Sequence, residues 1–123
     1  MPFDKGELSE RLLAFGAGVV RFSNRLPKTT GGRHIGGQVL RSSTSAGANY
    51  EEACGAESRQ DFVHKMQVVL KELRESFYWL RLIHKAKLVP ASDPELSVLL
   101  QEARELCNII AKSIVTAKRG KES

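Results

Sequence analysis

The sequence predicts an all-α protein, folded as an antiparallel up-down-up-down four-helix bundle. Three observations carry that reading. Four stretches repeat apolar residues at steps of three and four, no stretch sustains the alternation of a strand, and the connections are short. The 123 residues fit one domain. The chain is therefore read as a single four-helix-bundle domain over 1–123, with helices at about 5–26, 32–54, 59–88 and 94–119.

In the first helix Leu8, Leu12, Phe15, Val19, Phe22 and Leu26 form the inward line. Asp4 with Glu7 predicts a capping box, and Pro27 ends the run. The second helix begins after Lys28-Thr-Thr-Gly-Gly, and its inward line is Ile35, Val39, Ser42, Ala46, Asn49 and Ala53, with Gly55 near its end. That face is thin and made of small residues, which suits close approach of a neighbouring helix. Ser58 caps the third helix, whose core line is Phe62, Met66, Val69, Leu73, Phe77 and Leu80, flanked by Val63 and Leu70. For the fourth, Asp93 as N-cap, Pro94 at the first helical position and Glu95 behind it make a strong start signal. Leu96, Leu99, Ala103, Leu106, Ile110, Ile114 and Ala117 give its stripe, and Gly120 stops it after Lys118 and Arg119.

Hydrophobic residues at 41% and charged residues at 27% exclude a disordered chain. No apolar run approaches the roughly 20 residues of a membrane span, so no membrane partner is expected. Met1-Pro-Phe-Asp-Lys-Gly-Glu lacks the apolar core of a signal peptide, and the expected location is the cytoplasm. Lys and Arg number 19 against 14 Asp and Glu, a net +5 that favours an anionic partner. Cys54 and Cys107 fall about 12 Å apart along the bundle axis at 1.5 Å per residue. A disulfide needs Cα atoms within about 7 Å, so two free thiols are expected.

The stretch Leu26-Pro-Lys, then Ile35-Gly-Gly-Gln38 through Ala53, resembles the bacterial four helix bundle protein family. Its founding members are encoded in intervening sequences of 23S ribosomal RNA genes. The matching pattern is Gln-x-x-Arg-x-x-x-Ser-x-x-x-Asn-x-x-Glu followed by Ser-x-x-x-Phe. Here it is carried by Gln38, Arg41, Ser45, Asn49, Glu52, Ser58 and Phe62. The resemblance spans about residues 8 to 118. It departs at Cys54-Gly55-Ala56, where many members have Gly soon after the Glu, and in a helix start loosened by Gly31, Gly32, Gly36 and Gly37. It implies a ring-like homopentamer without enzyme activity. A related branch, the accessory proteins of diversity-generating retroelements, implies a nucleic acid and a protein as partners.

The residues themselves offer little for catalysis. Asp61-x-x-His64 is the one relative of the paired Glu-x-x-His motifs of a di-metal bundle, and His34 and His84 lie near the other end. No metal centre and no cofactor is expected. Ser42-Ser43-Thr44-Ser45 sits inside a helix without a His–acid partner, so its hydroxyls are expected to bond back to helix carbonyls. The glycines before the second helix lack the spacing of a phosphate loop. The expectation is no enzyme.

Asn49 falls on the inward line, where an unpaired amide costs about 1–3 kcal/mol. An internal polar network is therefore expected around it, with Arg41 and Glu52 inside that network or at a subunit contact; a ligand site at these residues is the alternative. The third helix carries a second stripe, Val68, Glu72, Glu75, Trp79 and Leu82, opposite its core line. Two seams on one helix predict an oligomer interface there.

Up-down topology gathers Arg21, Arg25, Lys28, Arg33, Arg81, Lys85 and Lys87 at one end, with His34 and His84, against only Asp93 and Glu95. The other end mixes Asp4, Glu7, Glu10, Glu51, Glu52, Glu57 and Asp61 with its cations. The seven cations are the candidate nucleic-acid-binding residues. No interleaved aromatic platform accompanies them, so sequence-specific readout is not expected. The leading expectation is a non-catalytic oligomer that binds RNA or DNA backbone through this end as an assembly or accessory factor. The alternative is a structural homo-oligomer or protein-interaction module without nucleic acid.

Overall fold

Short-range signals set the ends of four helices in a computed structural model that describes residues 4–120. They are α1 (Lys5–Ser23), α2 (Thr30–Cys54), α3 (Arg59–Lys85) and α4 (Pro94–Lys118). Each helix packs on its neighbours in sequence, and α1 closes on α4, so the bundle is antiparallel and up-down-up-down. The α2–α3 seam is the most extensive and the α1–α4 seam the loosest. No helix among the described residues is long and apolar enough to cross a membrane.

Three helix ends differ from the sequence reading by two or three residues, each for a local reason. Instead of reaching residue 26, α1 stops at Ser23, because Pro27 disfavours a helical residue before it. Arg25 and Leu26 fold back on Phe22 and Ser23 carbonyls, and Leu26 still reaches the core. At its start α2 begins at Thr30, two residues early, because Thr29 caps it by accepting the Gly32 N–H at 3.1 Å. A Cβ at Gly32 would stand 2.1 Å from the Pro27 carbonyl oxygen, so only glycine lets this turn close. The third helix ends at Lys85 rather than 88, because Lys87 turns left-handed at φ 57°. Its N–H reaches His84 O at 3.2 Å and the Leu88 N–H reaches Ile83 O at 3.1 Å, a helix stop usually built on glycine.

The starts of α1, α3 and α4 are capped as their sequences suggest. Asp4 accepts from Gly6 N–H at 2.9 Å, Ser58 from Asp61 N–H at 3.0 Å, and Asp93 from Glu95 and Leu96 N–H at 3.1 Å each. The capping box does not form, since Glu7 stays exposed and makes no return bond.

The apolar lines meet in one core. Leu8, Leu12, Phe15, Val19 and Phe22 of α1 face Met66, Leu73, Leu80, Leu106 and Ile110 from across the bundle, all essentially without solvent exposure. On α2 the inward line steps from Ala46 to Tyr50 rather than to Asn49. At 3.6 residues per turn either step is open, and the large ring takes the buried place. Asn49 is only half-buried. Likewise α3 buries Ser76, and Phe77 lies half-exposed.

Candidate nucleic-acid interface and the polar face of α2 and α3

Small residues along α2 allow α3 to approach closely, and polar side chains then line the edge of that seam. Arg41 donates to Glu72, Nη1 to Oε1 at 3.3 Å, and to Glu75 one turn further along α3. Ser45 Oγ donates to Glu72 at 3.1 Å, and Asn49 Nδ2 donates to Ser45 O at 2.9 Å and Oγ at 3.0 Å. Glu52 accepts Lys65 Nζ at 2.9 Å, and Gln38 lies half-buried on the same line. The five motif residues therefore share one face of α2. Arg41, Ser45 and Asn49 join Glu72 and Glu75 in a polar network at the rim of the bundle, Glu52 pairs separately with Lys65, and Asn49 bonds within its own helix rather than across the core.

Charge and hydrogen bonding hold this rim. Arg41, followed by the Trp79 Nε1–H at 3.1 Å, holds the Glu75 carboxyl below its usual range. The Trp79 ring in turn meets His34 edge-on, 6.0 Å between centroids. Val68, Glu72, Glu75, Trp79 and Leu82 are consequently half-buried. The stripe was expected to face away from the bundle and instead borders α2, because α3 turns Ser76 and Ile83 into the core in place of Phe77 and so brings this line toward its neighbour. The large hydrophobics that do face outward include Leu13 and Val20 on α1 and Tyr78 on α3.

At the basic end Arg25 behaves differently from the other six cations. It binds both opposing acids, Asp93 and Glu95, the latter at 2.5 Å. This clamp ties the α1 exit to the α4 start and holds the Asp93 carboxyl below its usual range, helped by the Leu96 N–H. Arg25 therefore has a structural role in this clamp. Arg21, Lys28, Arg33, Arg81, Lys85 and Lys87 are exposed, and among the described residues no carboxylate pairs with them. Occupying Asp93 and Glu95 on Arg25 leaves the six facing no unpaired acid from the α3–α4 connection.

The sequence reading confined its cations to this end and missed Lys71, Arg74 and Arg104. Lys71 and Arg74 line a shallow groove with Gln67, Leu70, Ala111 and Ile114 on the α3–α4 seam. Arg81 of α3 and Arg104 of α4 lie over the same Phe77 ring, at 5.7 and 5.5 Å. The signal was present as helical spacing of exposed polar residues, but it becomes a site only once α4 is placed beside α3.

Among the described residues no three His, Cys, Asp or Glu converge as metal ligands. Ser42, Ser43 and Thr44 bond back to carbonyls of Val39 and Leu40, with Thr44 closest at 2.8 Å. Cys54 and Cys107 are free thiols, and burial pushes the Cys107 thiol up.

Comparison with known proteins places these features. Residues 7–112 match the family model described as 23S rRNA-intervening sequence protein. A solved structure from Bacteroides thetaiotaomicron, a protein with unknown function from the S23 ribosomal protein family, is similar at 29% identity with a TM-score of 0.79. The alignment covers 87% of this chain and 97% of that one. A search of curated proteins finds no match.

Proposed function

We propose, from the premise that the chain belongs to the 23S rRNA-intervening sequence protein family, that it is a non-catalytic homo-oligomer that binds nucleic-acid backbone through its basic end. In this reading it works in the cytoplasm as an assembly or accessory factor. The observation that carries the reading is the charge arrangement at that end: six exposed cations without a carboxylate partner, beside two acids already bound by Arg25. Phosphates would replace the counterions of those six.

The assembly part rests on α1. Residues Leu12 to Val20 include no polar side chain, and Leu13 is 66% exposed. A helix apolar on all sides calls for cover on its outer side as well. The pentamer is what the family resemblance implies, as is the kinship with retroelement accessory proteins. The same α1 face also favours the second reading, a structural oligomer without nucleic acid.

Fluorescence anisotropy with a labelled RNA hairpin and a DNA duplex, run from about 50 to 200 mM salt, tests the binding. The expected result is tight binding at low salt with a slope near −0.9 per phosphate contact on duplex. Lys28→Glu with Arg33→Glu and Lys87→Glu should abolish it, and Lys5→Glu with Lys112→Glu should not. A wild type that ignores both probes at low salt leaves the structural oligomer as the function.

A further inference from the structure

Folding sorts the charges of α3 and α4 onto opposite sides. Glu72 and Glu75 of α3 face α2, where Arg41 holds them. All three acids of α4 face α1: Glu95 is held by Arg25, and Glu102 and Glu105 by Arg11 at 2.6 and 3.1 Å. Asp61, the remaining acid of α3, lies in its first turn, where it acts on Lys65. Among the described residues, the α3–α4 seam above that turn carries no carboxylate.

What remains on that side is a line of cations. From Gln67 the exposed positions of α3 run Lys71, Arg74, Tyr78, Arg81 and Lys85, at steps of four and three. The line is about 27 Å long at 1.5 Å per residue, and it runs into the basic end. Arg104 joins it from α4, and Arg81 and Arg104 both rest over the Phe77 ring, which biases their guanidinium groups before any ligand arrives. Ordering those two side chains in advance reduces the entropy lost on binding.

Tyr78 interrupts the cations as the interleaved aromatic that the sequence reading did not find. It is 53% exposed and braced edge-on against Trp79, 5.1 Å between centroids. A braced, exposed ring between Arg74 and Arg81 is a stacking surface for a base. Bases in a duplex hide both faces, so only an unpaired base can use it.

We propose that the outer line of α3, with Arg104, is the track of a single-stranded nucleic acid. Its phosphates lie along Lys71, Arg74, Arg81, Lys85 and Arg104, and one base stacks on Tyr78. This rests on the nucleic-acid reading above but moves the main contact from the end of the bundle to its side. It also selects single strands over duplex.

Anisotropy with labelled 20-nucleotide poly(U), poly(dT) and a DNA duplex separates the two surfaces. Tyr78→Ala should weaken both single strands by about five- to a hundred-fold, in line with one lost stack, and Tyr78→Phe should bind as wild type. Arg74→Glu with Arg104→Glu should abolish single-strand binding, with the helical circular dichroism and sedimentation mass unchanged. Cross-linking 4-thiouridine RNA should label the peptide containing Tyr78. If Tyr78→Ala and the Arg74/Arg104 pair bind as wild type and the Lys28/Arg33/Lys87 variant fails, the track is wrong and the basic end stands. If only the seam variants fail, the track stands and the end reading falls. A seam variant that changes sedimentation mass, or a duplex bound more tightly than either single strand, overturns the track.

Discussion

The hydroxyls of Ser42 on α2 and Ser76 on α3 meet 2.8 Å apart, both side chains fully buried. Each also has a carbonyl in its own helix, Val39 at 3.4 Å and Glu72 at 3.0 Å. The pair therefore lets two helices touch through small residues without stranding a polar atom. Ser42→Ala leaves Ser76 satisfied by Glu72 and should cost no more than about 1 kcal/mol. Ser42→Leu forces the tightest seam apart and should cost about 1–3 kcal/mol in urea unfolding. Equal midpoints for the two variants would show that the seam is loosely packed.

Arg41 gives the bundle an acid-sensitive rim. Its bond lowers the folded pKa of Glu75 from the ordinary 4.5, so the stabilisation is present above that value and lost as pH falls through the folded pKa. Thermal unfolding of wild type and Arg41→Ala should differ by a few degrees at most at pH 7, because the guanidinium is half-exposed. The difference should shrink as pH falls below 4.5 and Glu75 takes up its proton. A gap that stays constant across that range would remove Glu75 from the account.

The glycines of α2 are not equivalent. Gly32→Ala drives a methyl against the Pro27 carbonyl and should destabilise by about 1–3 kcal/mol. At Gly37 a Cβ meets nothing within 4 Å, so Gly37→Ala should stabilise by about 0.5–1 kcal/mol through helix propensity. Urea midpoints that move in the same direction would contradict the turn geometry.

Tyr50 carries a different kind of cost. Its ring is fully buried, and its hydroxyl has only the weakly hydrogen-bonding Cys54 thiol beside it and no oxygen or nitrogen partner among the described residues. Burial raises the phenol well above its usual pKa. Tyr50→Phe should therefore keep the packing and raise stability by about 1 kcal/mol, read by chemical denaturation. A drop of that size would mean the hydroxyl is satisfied in solution.

Sequence by itself determined what local interactions decide. Helical period, the Asp4, Ser58 and Asp93 caps and the Pro27 stop specify four helices and an all-α bundle, since each depends on residues within about one turn. The motif residues of α2 were likewise legible as one face, because their four-and-three spacing fixes them on one side of any helix. Tertiary structure alone decided which of two adjacent residues enters the core, Tyr50 or Asn49, because a 3.6-residue period leaves that to volume and neighbours. It also decided where charge is spent. Arg25 belongs to Asp93, 68 residues away, and Arg11 to Glu102, 91 residues away. These pairings remove acids from one side of the bundle and leave Arg74 and Arg81 without a carboxylate partner on the other, while Lys71 feels only the Glu75 charge one turn along its own helix. Ion pairing depends on distance through space, and a one-dimensional count of charges does not contain it.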